Sequence, residues 1–233
     1  MCVIYLSNKI SDSKHSKHSN IKNRGPDDTK HIVINSKENV ELNFIFYRLA
    51  INDLSENGMQ PFYINDIVVM CNGEIFNHRA LEEKYNIKED LVSESDCEVI
   101  IHLYKKFGGG EKAIKKICKE IDAEFVFTLY DLTKDVLFIA RDNFGIRPLF
   151  YEIKDENFCF CSEIKGTELK GTKPFPPGNY GCIKNLKKPE CVFKKYYEIQ
   201  LNEIPNEIPN EISNEKIHKN INKLLKDSVS KRV

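Results

Sequence analysis

The chain has 233 residues, 41% of them hydrophobic and 10% aromatic, with 35 Lys+Arg against 35 Asp+Glu. That apolar content excludes wholesale disorder, and zero net charge excludes the broad basic field of a nucleic-acid or anionic-membrane binder. The apolar runs are strand-sized, well short of the roughly 20 residues of a spanning helix. Eight cysteines in a chain whose first 20 residues are polar, with no signal-peptide apolar region, suit reduced thiols in the cytoplasm.

Cys2 lies behind Met1. Once Met1 is removed, one residue carries both a thiol and a free α-amino group, the logic of a self-contained nucleophile and base. Six of the other cysteines sit in or beside apolar segments and read as small buried hydrophobes. Zinc is the sharper reading of Cys159, Cys161, Cys182 and Cys191. No Cys-x-x-Cys pair occurs, however, and Phe158-Cys-Phe-Cys161 alternates like a strand, so no metal is expected.

Val3-Ile-Tyr-Leu6 is a short β-favouring run, and residues 11–22 read as an exposed loop or a poor helix. Asn23-Arg-Gly-Pro-Asp-Asp28 is a turn by its chemistry. Residues 40–51 read as a strand containing one charge, Arg48. It is either a strand-edge arginine or a fixed fork for a carboxylate. A buried strand, Ile67-Val-Val-Met-Cys71, then runs into Asn72-Gly73. That pair suits a hairpin turn, and it equally suits an amide and an N–H offered to a developing oxyanion.

Ser95 and Glu98 have capping-box spacing and open a helix with Val99, Leu103 and Phe107 in one row. Gly108-Gly-Gly110 lacks the Gly-Lys-Ser/Thr of a phosphate loop and reads as a helix stop, followed by a second helix over 112–121. Residues 124–131 and 135–141 are strands apolar on both faces, with Phe150-Tyr151 and Phe158 to Cys161 continuing the same sheet. Strands, two helices, then strands indicate an α+β domain of layered sheets over residues 1–200. Asn-Glu-Ile-Pro repeats mark a low-complexity linker at 201–215, and Ile217, Ile221, Leu224, Leu225 and Val229 stripe an amphipathic helix over 216–233.

The pieces Met1-Cys2, Arg24-Gly-Pro-Asp27, Arg48-Leu-Ala-Ile51, Asn72-Gly-Glu-Ile-Phe-Asn-His78 and Ser95-Asp-Cys-Glu-Val99 stand in order. Phe125-Val-Phe127, Arg141-Asp-Asn-Phe-Gly-Ile-Arg-Pro-Leu149, Ser162-Glu-Ile-Lys165 and Pro177-Gly178 follow. Together they resemble the class II glutamine amidotransferase domain, in particular the N-terminal glutaminase half of asparagine synthetase. The resemblance covers roughly residues 1–198 and rests on the joint order of individually weak motifs. It implies the N-terminal nucleophile hydrolase fold, a four-layer αββα sandwich of two mostly antiparallel sheets.

The resemblance also implies a division of labour. Cys2 attacks the side-chain amide of L-glutamine, its α-amino group shuttles the proton, and Asn72 with the Gly73 N–H forms the oxyanion hole. Arg48 clamps the α-carboxylate, Asp96 with Glu74 receives the α-ammonium, and Leu49, Ala50, Ile51 and Asn52 line the pocket. Glutamine hydrolysis then needs no cofactor; ATP and Mg belong to a synthetase domain or subunit whose Ser-Gly-Gly-Leu-Asp-Ser loop these residues do not contain. Two departures stand out: Cys2-Val3-Ile4 replaces the family's usual Cys-Gly-Ile, and Asn23 replaces the His before Arg-Gly-Pro-Asp. The same motifs also suit a catalytically impaired glutamine-binding or interaction module, or the glutaminase of another class II amidotransferase.

Overall fold

The computed structural model describes residues 2–9, 17–167, 171–198 and 213–232. The chain forms two compact units, one through Tyr197 and one from Glu198 onward. In the first, strand β1 is Val3–Ser7, β2 is Asp28–Asn35 and β3 is Glu41–Arg48, followed by β4 (Phe62–Ile64) and β5 (Ile67–Ile75). Helices α1 (His78–Tyr85), α2 (Val99–Lys106) and α3 (Gly110–Glu120) come next. Strands β6 (Ala123–Asp131), β7 (Val136–Arg141), β8 (Phe150–Lys154), β9 (Asn157–Cys161), β10 (Lys173–Pro174), β11 (Asn179–Ile183) and β12 (Val192–Lys195) complete the unit.

Two antiparallel sheets result, ordered β10-β8-β9-β1-β3-β2 and β12-β11-β7-β6-β5-β4. Strand alternation sorts the side chains into three apolar layers. Between the sheets lie Ile4 and Leu6 of β1, Phe44 and Phe46 of β3, and Val68 and Met70 of β5. Val69, Cys71 and Ile75, the alternate positions of β5, pack instead against the helices, with Ile100, Leu103 and Ile114. The outer face of the first sheet buries Val3, Tyr5, Ile45 and Tyr47 under Ile21. The expected α+β sandwich is therefore present, but its fourth layer is thin. Among the described residues it is built from 3-10 turns at Lys17–Arg24 and Ile164–Gly166 rather than from a long α-helix, because residues 17–24 offer one buried apolar side chain, Ile21.

Several local expectations need correction. Phe150-Tyr151 and Phe158–Cys161 do not continue the sheet of β6 and β7; they cross to the first sheet, where β9 pairs with β1. The spacing of apolar residues cannot distinguish the two, since both sheets are buried on both faces. Ser95 does not cap through its side chain. Glu98 instead accepts from the N–H groups of Val92 and Ser93, both at 2.8 Å, and from Ser93 Oγ. Asn72-Gly73 is no hairpin turn but lies within β5, paired with Val126 and Phe125 of β6. The glycine run does stop α2, all three residues holding positive φ, and α3 begins within it, at Gly110 rather than Lys112.

Gly25, in the Arg-Gly-Pro-Asp turn, has no space for a side chain: a Cβ there meets Tyr47 O at 2.2 Å and Arg48 N at 2.8 Å. Gly25→Ala is expected to push the end of β3 outward and cost about 3 kcal/mol, the upper range for overpacking. Urea unfolding measures the cost directly.

The second unit contributes helix α4, Asn214–Ser230, opened by Ser213, whose Oγ accepts from the N–H of Lys216. Ile221, Leu224, Leu225 and Val229 are exposed on it. Most of the expected linker, residues 201–212, lies outside the described residues, as do residues 10–16 of the early polar loop.

Candidate active site

The position of Cys2 follows from β1. Its register with β3 sets Val3 opposite Tyr47, and Ser162 fixes the strand by donating its N–H to Ile4 O and accepting from Ile4 N–H, both at 3.1 Å. Alternation sends Val3, fully buried, into the outer cluster, while Cys2 packs on the inter-sheet side. The valine that replaces the family's glycine therefore points away from the cleft. Cys2 is half-buried; the Leu49 N–H donates to its Sγ at 3.2 Å, and the thiol faces Leu49 O at 3.3 Å. Burial pushes this thiol above the ordinary cysteine range, against the opposing pull of the Leu49 N–H.

Opposite Cys2 is β5. Its even-numbered side chains face the inter-sheet layer, which aims Asn72 to the same side as Cys2. Asn72 is 2% exposed, and its Nδ2 is buried with no acceptor among the described residues. An unmade hydrogen bond of this kind costs on the order of 1–3 kcal/mol, so it marks a donor held ready for something.

The neighbouring N–H groups follow a period of two. In an antiparallel ladder a residue directs its N–H and C=O to one side. Strand β4 covers only the Ile67–Val69 part of β5's outer edge. Beyond it, the Cys71 N–H donates to Gln60 Oε1 at 2.6 Å, and the Ile75 N–H donates to Asp96 Oδ2 at 2.6 Å. Gly73 stands between them, so its N–H faces the same edge. Its backbone is also tight against β6: a Cβ would lie 2.4 Å from Glu124 O. Gly73→Ala is expected to displace β5 from β6 at this point and to lower both thermal stability and activity, measurable by a melting scan beside an assay.

One cleft is lined by Cys2, Arg48, Leu49, Ile51, Asn52, Asn72, Gly73, Glu74 and Asp96. These are the expected site residues with one exception. Ala50 is not on its lining; the Ala50 N–H donates to Asp27 Oδ2 at 2.8 Å and ties the 49–55 loop to the Arg-Gly-Pro-Asp turn. Arg48, 6% exposed, spends part of its fork on that same loop, donating to Ser55 O at 2.8 Å and to Asp53 O. Asp96, besides Ile75, accepts from Asn52 Nδ2 at 3.2 Å.

Sequence reasoning passed over three residues. Gln60 holds the edge of β5, and nothing local distinguishes it from any surface glutamine. Asp27 anchors the pocket loop, although its motif was visible. Arg147 lines the cleft, delivered by a braced turn in which Asp142 accepts from the N–H groups of Phe144, Ile146 and Arg147. Arg141 closes that turn by donating to the carbonyls of Gly145, Arg147 and Phe175. The zinc alternative does not assemble: Cys159 and Cys161 lie in β9 of the first sheet, Cys182 and Cys191 in or beside β11 and β12 of the second. Among the described residues no helix is long and apolar enough to cross a membrane.

Residues 1–204 match the family model described as glutamine amidotransferase domain. A putative glutamine-hydrolysing asparagine synthetase 2 of Methanocaldococcus jannaschii is 31% identical over 228 aligned positions, covering 84% of this chain and 42% of the relative. Asparagine synthetase 2 of Bacillus subtilis is 42% identical over 166 positions, covering 70% of this chain and 20% of the relative. The chain thus spans less than half the length of these relatives. Among solved structures, glutamine phosphoribosylpyrophosphate amidotransferase from B. subtilis superposes with a TM-score of 0.66 at 16% identity, over 84% of this chain and 49% of that one, a likeness of fold. With the family model matched over most of its length, the chain belongs to the class II glutamine amidotransferase domain family.

Proposed function

We propose that this domain hydrolyses L-glutamine to glutamate and ammonia through a thioester on Cys2. One observation carries the reading: a buried amide donor, Asn72 Nδ2, has no acceptor among the described residues and shares a cleft with the Cys2 thiol. In the proposed step, Met1 removal frees the Cys2 α-amine, which takes the thiol proton as Sγ attacks the side-chain carbonyl carbon. The C=O bond opens to an oxyanion received by Asn72 Nδ2 and the Gly73 N–H. The amine returns the proton to the leaving nitrogen, ammonia departs, and water then cleaves the thioester to release glutamate and restore the thiol.

Arg48 holds the substrate's α-carboxylate, Asp96 and Glu74 its α-ammonium, and Leu49, Ile51 and Asn52 its stem. Every step uses groups of this chain, so hydrolysis requires no metal or cofactor. Ammonia passes to an aspartate-activating synthetase domain or subunit, which would bring ATP and Mg. The unmatched length of the relatives supports that partner. A reducing cytoplasm, in which all eight thiols stay free, suits the nucleophile.

Glutamate release from glutamine by the full chain tests the proposal. The pH profile adds a signed prediction. Burial raises the Cys2 thiol, so it is protonated at neutral pH and depends on a neutral amine to accept its proton. An α-amine titrates near about 8, so kcat/KM should climb with pH through that range. A rate that falls over the same interval contradicts the assigned base.

A further inference from the structure

Asp53 does not line the cleft and is not among the residues expected to touch glutamine, yet it joins the two loops that do. Its backbone sits at φ +52°, inside the 49–55 loop. Its Oδ1 accepts from the N–H of Ser55 at 2.9 Å and from Ser55 Oγ at 2.6 Å, and its main-chain carbonyl accepts from Arg48. Its Oδ2 reaches across to the other loop and accepts from the N–H of Glu94 at 2.9 Å.

That second loop is itself immobilised from behind. Glu98, fully buried, accepts from Val92, Ser93 and, at 3.0 Å, His102 Nε2, and so fixes the turn that precedes Asp96. Burial opposes ionisation of Asp53, but the hydrogen bonds from Ser55 and Glu94, with Arg48 nearby, hold its carboxyl below the usual range. The Asp53 carboxylate therefore bridges a loop braced by Arg48 to a loop leading into Asp96.

We infer that Asp53 is a positioning residue that sets the distance between Arg48 and Asp96, the two charges offered to the α-carboxylate and α-ammonium of a free amino acid. The inference rests on the glutaminase reading and deepens it: the Asp53 bridge makes the site selective for an unblocked amino-acid head. Losing it loosens head-group binding and leaves the Cys2–Asn72 chemistry in place. Cys2 Sγ meets the main chain of Leu49 at the far end of the 49–55 loop, and among the described residues neither Sγ nor Asn72 Nδ2 hydrogen-bonds to Asp53.

The test compares the full chain with Asp53→Ala and Asp53→Asn, the amide keeping one acceptor oxygen. Three readings are taken: glutamine turnover, glutamate binding by calorimetry, and the alkylation rate of Cys2 by iodoacetamide, followed by peptide mass spectrometry. For Asp53→Ala we expect KM and the glutamate Kd to rise about tenfold, with kcat and Cys2 alkylation within about twofold of the parent. Asp53→Asn should fall between. An unchanged KM and Kd in Asp53→Ala overturns the inference, as does a loss confined to kcat. If the parent chain binds glutamate but releases none from glutamine, the glutaminase reading fails, and the Kd comparison still decides for or against Asp53.

Discussion

Cys2→Ala is expected to reduce glutamine hydrolysis by about ten-thousandfold or more, the scale seen when a catalytic nucleophile is removed. The reason is chemical, since no other group can replace Sγ in the thioester. Cys71 and Cys97 also line the cleft, but both are buried. Cys71 belongs to the helix-facing layer, on the opposite side of β5 from Asn72. The protein should still fold, because Cys2 precedes β1 and only part of its surface is buried. It should also still bind glutamine, because the head-group contacts proposed for it come from Arg48, Asp96 and Glu74. Kinetics paired with calorimetry separates these effects: turnover gone, affinity kept. Appreciable turnover in Cys2→Ala defeats the mechanism.

Asn72→Ala should lower kcat by about a hundred- to a thousandfold while changing KM little, the mark of an interaction made in the transition state. The ground-state structure already indicates this outcome. Asn72 Nδ2 has no acceptor among the described residues, so removing it breaks no hydrogen bond that the resting fold uses. Stability should therefore change by little more than a small cavity costs, or rise slightly as a buried unsatisfied donor is lost. Steady-state kinetics beside urea unfolding tests both halves. A large loss of stability with kcat unchanged would make Asn72 a structural residue instead.

How much of this was legible in the sequence divides along a physical line. Groups whose chemistry is local were readable: the thiol behind Met1, the strand running into Asn72-Gly73, and the arginine in a strand-like segment. Groups that act across the fold were not. Gln60 and Asp27 matter because they meet β5 and the 49–55 loop in space, through Cys71 N–H and Ala50 N–H, and no periodicity encodes that meeting. The capping-box spacing of Ser95 and Glu98 was real but misleading, because a buried His102 and the Ser93 turn compete better for the Glu98 carboxylate. The sheet assignment of Phe158–Cys161 failed for a similar reason. Double-sided burial removes the alternation that would tell one sheet from the other.

The central claim is that Cys2 acts as an N-terminal nucleophile on glutamine. The most direct measurement exposes the full chain, its N-terminus defined by intact mass, to a glutamine-analogue electrophile and maps the adduct by peptide mass spectrometry. The account predicts Met1 absent, a single adduct on Cys2, protection of that adduct by glutamine, and loss of glutamate release in step with labelling. Retention of Met1, or continued glutamine turnover by protein fully labelled at Cys2, would contradict it.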